Sequence, residues 1–122
     1  MGSAITTTKV FDAQALAASG VFTTPALDLS RYSTEGFFSL QFNLTGTGTA
    51  KVEFMISNND VDYIEPTGAS DVLSAFTVTS GPGANGKDIA SFSPPLARFL
   101  KLKVTETGGA NGVTVNGWLA IQ

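Results

Sequence analysis

The sequence predicts an all-β protein, a single antiparallel β-sandwich of the jelly-roll type with about eight strands. The first observation behind this prediction is a series of short segments in which apolar and polar residues alternate. The second is the regular spacing of clusters rich in glycine, proline, asparagine and aspartate, which mark turns. The third is composition, because only 14% of the 122 residues are charged whereas glycine (13) and phenylalanine (9) are abundant. A chain of this length is expected to form one domain, residues 1–122.

The N-terminal third is predicted to contain three short strands. Thr6–Phe11 and Val21–Thr23 are rich in threonine, valine and phenylalanine, which favour strands. Ala26–Leu29 is predicted to be a short edge strand that leads into a turn. These segments lie between turn residues, so each is expected to be brief.

Two further expectations concern the N-terminus. Asp12–Ala18 is predicted to be a short helix, because Asp12 can cap it and alanine favours helix, although so short a helix is marginal in isolation. Residues 1–20 have an alternative role as an extended or exchanged arm. In that role Ala4–Phe11, poor in charge, would add a strand to the sheet edge of a neighbouring copy.

The middle of the chain has the clearest alternation. Phe38–Leu44 and Ala50–Ser57 each place apolar side chains at every second position, which predicts one face in the core and the other facing water or a partner. The Gly-containing loop 45–49 between them predicts a hairpin. Val61–Ile64 and Ala75–Thr79 are predicted to be weaker strands.

The C-terminal third is predicted to supply two long strands, Arg98–Thr105 and Val113–Ile121, paired through the turn Gly108–Gly112. Both alternate with a period of two residues. Along the four alternating strands, the residues predicted to face the core are Phe38, Leu40, Phe42, Leu44, Val52, Phe54, Ile56, Leu100, Leu102, Val104, Val113, Val115, Leu119 and Ile121.

Composition excludes several classes of function. The chain has no cysteine and no histidine, which removes thiol nucleophiles, disulfides, thiolate or imidazole metal sites and Ser–His catalysis. No serine lies in a Gly-x-Ser-x-Gly elbow. A net charge of -3 with seven dispersed Lys and Arg residues argues against nucleic acid as a partner. We therefore expect a protein that is not an enzyme and binds no cofactor.

One cluster of oxygen-bearing side chains has two interpretations. Asn58, Asp60, Asp62 and Glu65 are spaced so that their oxygens could bind Ca²⁺. An EF-hand loop is excluded, because Tyr63 occupies the position of its glycine. The favoured interpretation is a turn in which asparagine and aspartate bond to their own backbone, followed by carboxylates in water.

Five residues are candidate contacts for a partner. Trp118 and Phe99 lie on the faces of their strands opposite the aliphatic side chains, and exposed aromatic rings can anchor a protein interface or stack on a sugar. Arg98, Lys101 and Lys103 form a basic stripe that could dock on an acidic surface. The favoured interpretations are that a loop or the N-terminal segment of the same chain covers these rings, and that the stripe is a solvated face whose stems cover apolar neighbours.

No export or membrane signal is predicted. The Ala13–Ala18 stretch is too short and interrupted for a signal peptide, and the apolar runs fall far below the ~20 residues of a membrane span. The expectation is a protein made in the host cytoplasm, not secreted and with no membrane partner.

Four segments resemble small β-sandwich virion proteins of tailed bacteriophages and prophages. They are Phe38–Asp60, Tyr63–Pro66, Phe92–Glu106 and Leu119–Gln122, which contain two strands around a Gly-Thr-Gly turn and a Ser-Asn-Asn-Asp turn followed by tyrosine. The second turn is also similar to the Ser-x-Asp-Gly-x-x-Tyr turn of discoidin-like jelly rolls, although this chain lacks that glycine.

The resemblance implies a structural role. A capsid decoration protein of this kind would form a homotrimer on the capsid lattice and bind major capsid subunits or other virion proteins, so its location would be the virion. The alternative that we retain is a carbohydrate-binding module of a phage tail or fibre that recognises host-surface glycans, with Trp118, Tyr63 or Tyr32 lining a groove.

Overall fold

The computed structural model describes residues 4–32, 36–68 and 70–122, and it is an antiparallel β-sandwich, as predicted. A four-stranded sheet has the order β1-β9-β4-β7, and a five-stranded sheet has the order β2-β8-β5-β6 with β3 also paired to β8. The described residues include no α-helix, only the short 3-10 turn Leu29–Arg31. None of them forms a helix that is long and apolar enough to cross a membrane. The strands are β1 (Thr6–Leu16), β2 (Val21–Thr23), β3 (Leu27–Asp28), β4 (Phe38–Gly46), β5 (Ala50–Ser57), β6 (Asp71–Phe76), β7 (Lys87–Phe92), β8 (Phe99–Glu106) and β9 (Val113–Ile121).

The core lies between the two sheets and is built from the alternating positions. Of the predicted core residues only Ile56 is half-buried, and all the others are buried. Phe42 lies near the centre, where Phe11 and Phe76 meet it edge to face at centroid distances of 6.1 and 5.2 Å. Such aromatic pairs add to the stabilisation that burial provides. The period-two pattern therefore identified the buried face of each of the four alternating strands correctly.

The predicted strand pairing was wrong at two connections. β4 pairs with β7 and β9, whereas β5 pairs with β6 and β8, so loop 47–49 crosses from one sheet to the other and forms no hairpin. β8 and β9 likewise belong to different sheets, so loop 107–112 is also a crossover. Gly46, with φ +101°, allows the sharp exit from β4, where a Cβ atom would lie 2.8 Å from the carbonyl oxygen of Gly112. Alternation specifies which face of a strand is buried, but not the sheet to which the strand belongs.

The predicted helix over Asp12–Ala18 was wrong, because β1 continues through this segment to Leu16. β1 pairs along its length with β9 of the same chain, including the predicted strand Thr6–Phe11. Register shifts on both sides of Phe11, together with Ala13 at φ +46°, form a bulge. The hydrogen-bonded ladder supplies more backbone partners than an isolated helix of about two turns, so the strand prevails.

The weaker predicted strands are shifted or shortened. Residues 61–64 contribute only an isolated bridge between Ile64 and Ile56, and the strand expected over 75–79 is β6, which begins earlier, at Asp71. The edge strand expected over 26–29 is the two-residue β3, followed by a 3-10 turn, Leu29–Arg31, capped by Asp28. β7 was not predicted.

Candidate interaction surface

The five predicted contact residues lie on opposite faces of the sandwich. Phe99, Lys101 and Lys103 occupy the outer face of β8 in the five-stranded sheet, and Arg98 immediately precedes that strand. Trp118 lies on the outer face of β9 in the four-stranded sheet. The structure therefore brings four of these residues together and separates Trp118 from them.

The basic side chains near β8 are bound to groups of the same chain. Arg98 reaches Asp28 with two nitrogens, each 3.3 Å from a carboxylate oxygen, and its guanidinium carbon lies 5.0 Å from the centroid of Phe99. The hydrogen bond from Arg98 is the main reason that the pKa of Asp28 falls to about 2. Lys103 forms an ion pair with Glu65, and this contact raises the pKa of Lys103. These charges are neutralised locally.

Trp118 is also engaged by its own chain. The ammonium of Lys9 lies 5.1 Å from the centroid of the indole ring, and it forms a 3.0 Å ion pair with Asp12. Cross-strand register places Lys9, Trp118, Gln41 and Ile89 in one row across the four strands of this sheet. The N-terminal strand thus partly covers the ring.

The oxygen cluster after β5 is a hydrogen-bonded turn. The Asn59 side-chain oxygen accepts from the backbone N–H groups of Val61 at 3.0 Å and Asp62 at 2.9 Å. The Asn58 side-chain oxygen accepts from the backbone N–H of Arg98, and the Asp60 carboxylate accepts from the hydroxyl of Tyr63. Within the described residues, no group of three or more acidic, histidine or cysteine side chains is arranged to hold a metal ion.

The sequence did not predict a group of exposed apolar residues that lies at one end of the sandwich. We define the apolar end as the exposed residues Ile5, Phe37, Ile64 and Leu96 together with three hollows between them. Leu96 is fully exposed, and the other three are 62–67% exposed. The sequence feature that indicates it is Leu96, an apolar residue directly after two prolines in a predicted loop.

The three hollows adjoin one another. Ile56, Ile64, Leu96 and Ala97 line the first, of about 430 Å³, together with polar residues of the turn. Leu96 and Ala97 also line the second hollow, which has a volume of about 360 Å³. Phe38 lines both this hollow and the third one, which has a volume of about 170 Å³. The shared lining residues make one continuous surface from Ile64 to Phe38 and onward to Ile5.

The apolar end is held on a constrained backbone. Phe37 exchanges two 2.9 Å backbone hydrogen bonds with Gln122, and Ile64 exchanges two with Ile56, at 2.9 and 3.0 Å. Pro94 and Pro95 restrict the segment that precedes Leu96. A partner that binds here would therefore order little additional chain, which favours affinity.

The opposite end is fixed by a buried carboxylate. Glu106 accepts backbone N–H groups from Ser19 at 3.0 Å and from Thr49, Gly108 and Gly109 at 2.8 Å each. The hydrogen bonds from Ser19, Thr49 and Gly109 are the leading causes that lower the pKa of Glu106 to about 2. One side chain thus joins three turns, and this end is a structural anchor.

The sheet edges carry interruptions. β1 has its bulge at Ala13, β6 has Ala75 at φ +50°, and Pro25 lies in the break between β2 and β3. On β7, the Ile89 N–H donates to the Asp88 carboxylate at 2.7 Å. Such features discourage a further strand from adding to an edge, so the apolar end is the better candidate for a protein contact.

Comparison with known proteins supports the fold. No protein-family model matches the sequence, and no curated protein matches it. The infectious bursal disease virus VP2 subviral particle is similar at 13% identity and a TM-score of 0.60, covering 97% of this chain and 31% of that chain. Aeromonas hydrophila PliG, a periplasmic inhibitor of g-type lysozyme, is similar at 12% identity and a TM-score of 0.51, covering 99% and 89%.

The structural neighbours also include the SPBc2 prophage-derived protein YomS, at 15% identity and a TM-score of 0.46, covering 98% of this chain and 97% of that chain. The chain spans about a third of the VP2 chain. At such low identities, these similarities concern the β-sandwich alone, since one fold serves many unrelated functions.

Proposed function

We propose that the protein is a non-enzymatic structural component of a tailed-phage virion, most simply a capsid decoration protein that binds other virion proteins through its apolar end. The observation that carries the proposal is the continuous surface around Leu96, which is largely apolar, carries exposed side chains and is held on a constrained backbone. Large exposed apolar patches on soluble proteins mark sites of protein contact.

The sequence is consistent with this role. The absence of cysteine and histidine removes the commonest nucleophiles and bases, and the low charge suits a component packed among other subunits. The resemblance of residues 38–60, 63–66, 92–106 and 119–122 to phage virion proteins gives the proposal its biological setting. In that setting the protein is made in the host cytoplasm, forms a homotrimer and contacts the major capsid protein.

The carbohydrate-binding alternative has less support. A sugar would stack on an open aromatic face, but Lys9 lies over Trp118 and Lys101 lies over Tyr63. A glycan array probed with the whole chain is expected to show no binding. Binding that disappears in Trp118→Ala would favour the alternative.

The direct test follows the chain through particle assembly. Particles of the phage or prophage that encodes it are separated on a density gradient, heads are separated from tails, and the chain is located by mass spectrometry. We expect it with the heads at a fixed ratio to the major capsid protein. A chain found only in the soluble fraction would overturn the proposal.

Variants test whether the apolar end is responsible. Particles lacking the chain are mixed with the wild type, Leu96→Asp or the matched control Val21→Asp. Val21 is 58% exposed on β2 near the opposite end, so it receives the same charge in a different place. Leu96→Asp should lose binding while Val21→Asp retains it. Equal binding by all three proteins would remove the apolar end from the proposal.

A further inference from the structure

We infer that the partner at the apolar end is a second copy of this chain, with Leu96 of one copy inserted into the hollow between Phe38 and Pro94 of the other. This inference rests on the proposed function and identifies a partner for its binding surface. It goes beyond that function by assigning the contact between copies to a stated surface, which can be tested without a capsid.

The surface carries both halves of such a contact. Leu96 projects fully exposed from the loop before β8, and the 360 Å³ hollow next to it is lined by Leu29, Phe38, Pro94 and Ala97, among others. A leucine side chain is small enough to enter this hollow. Leu96 itself forms one wall of the hollow, so the surface presents a projection beside a depression, and the projection of one copy can enter the depression of another.

The charge of the surface also favours a copy. The residues that line this hollow include no acidic or basic side chain. An acidic or basic partner would bury its charges there without counter-ions, which is costly. A second copy brings an apolar surface with no such charge, while Asp62, which lines the neighbouring hollow, can remain at the rim.

The exposed area is sufficient for a specific contact. Ile5, Phe37, Ile64 and Leu96 expose roughly 600 Å² together, taking a full side chain as about 200 Å². If all four residues were fully covered in both copies, the contact would bury about 1,200 Å² from these residues, which is the lower limit for ordinary specific interfaces. The constrained backbones of Phe37 and Ile64 reduce the ordering that such a contact would need.

The test measures the mass of the purified whole chain in solution, with no virion component present. Sedimentation over a wide concentration range should show wild-type self-association, and Leu96→Asp should shift the equilibrium at least tenfold towards monomer. Leu96 is fully exposed, so the substitution should leave the folded chain intact, which a thermal melt checks. Val21→Asp and Ile89→Asp, which place the same charge at other exposed apolar positions, should behave as the wild type does.

Crosslinking tests the geometry. The chain has no cysteine, so Leu96→Cys and Pro94→Cys each carry one thiol. Mixing the two proteins under oxidising conditions should give a disulfide-linked heterodimer, whereas Leu96→Cys mixed with Val21→Cys should not. Crosslinking only in the Val21→Cys mixture would overturn the inference, as would a wild type that is monomeric at every concentration.

The result is separable from the particle experiment. A chain that is monomeric in solution but present in heads removes the inference and leaves the proposed function. A chain that self-associates through Leu96 but is absent from particles supports the inference and removes the proposed function.

Discussion

Lys101 lies over the ring of Tyr63, with its ammonium nitrogen 4.1 Å from the ring centroid. Tyr63 belongs to the segment 58–68, which follows β5, and Glu65 of that segment pairs with Lys103, two residues further along β8. Successive outward positions of β8 therefore hold the segment against the five-stranded sheet. The basic stripe, which we predicted to be a solvated face with docking as its alternative use, has this intramolecular role in the structure, and contact with a partner remains a prediction.

Removing the Tyr63 ring should loosen this segment. Tyr63→Ala is expected to lower the free energy of unfolding by about 1 kcal/mol, through loss of the contact with Lys101. Tyr63→Phe keeps a ring beneath the ammonium and loses only the hydroxyl bond to Asp60, so its loss should stay within about 0.5 kcal/mol. Urea unfolding measures both. Equal losses in the two variants would show that the ring contact is unimportant.

Glu106 should make stability depend on pH in the acid range. Its pKa is lowered from 4.5 to about 2 in the folded protein, so folding favours the ionised form. The resulting stabilisation is fully present above the unfolded-state pKa, declines as the pH falls below it and is lost near pH 2. Glu106→Gln lacks it at every pH, and its amide NH₂ cannot accept backbone hydrogen bonds.

The measurement is the thermal midpoint of the wild type and Glu106→Gln between neutral pH and pH 2. The difference should be largest at neutral pH and should shrink below pH 4.5. Asp71→Asn, which removes one exposed carboxylate, should change the neutral-pH midpoint little. A difference independent of pH would show that the charge of Glu106 is not involved.

Thr24 should be sensitive to loss of its hydroxyl. Its side-chain oxygen accepts from the backbone N–H of Leu102 at 3.0 Å, in the gap between β2 and β3, and Thr24 is buried. Thr24→Val has nearly the same shape but leaves that N–H without its partner, which costs about 1–3 kcal/mol. Thr24→Ser keeps the acceptor and should lose less. Urea unfolding distinguishes the two, and equal losses would point to packing of the methyl group.

Local pattern accounts for what the sequence could predict. Burial of Leu40, Val52 and Leu102 follows from the period of two residues along each strand, which is a property of neighbouring residues. The same pattern in β8 predicts that Glu106 is buried, because it lies an even number of residues from Leu102 and therefore on the same, inward-facing side of the strand. We did not draw that conclusion, and the buried carboxylate was missed.

Long-range geometry accounts for the rest. A loop such as 47–49 can join two strands of one sheet or cross between sheets, and the choice depends on strands distant in the sequence. The apolar end is assembled from Ile5, Phe37, Ile64 and Leu96, which belong to separate segments with no shared period. Their proximity follows only from the packing of the two sheets.

The contact between Phe11 and Gly117 gives the most specific packing prediction. The two residues are paired between β1 and β9, and a Cβ atom on Gly117 would lie 2.6 Å from Phe11 Cδ2. Phe11 is fully buried and packs edge to face against Phe22 and Phe42, so its ring has little freedom to move away. Gly117→Ala should therefore cost about 1–3 kcal/mol by overpacking.

A double-mutant cycle tests whether Phe11 is the cause. Phe11→Leu removes the clashing edge of the ring. The free energy of unfolding lost in the double variant, Phe11→Leu with Gly117→Ala, should therefore be smaller than the sum of the two single losses by at least about 0.5 kcal/mol. Gly83→Ala is the control for adding a methyl group, because the nearest neighbour of its Cβ atom would be the Asn85 side chain, at 3.3 Å. Strictly additive losses would mean that the methyl group disturbs a neighbour other than Phe11. The nearest such atom is Leu40 Cδ1, which would lie 3.4 Å from the added Cβ atom.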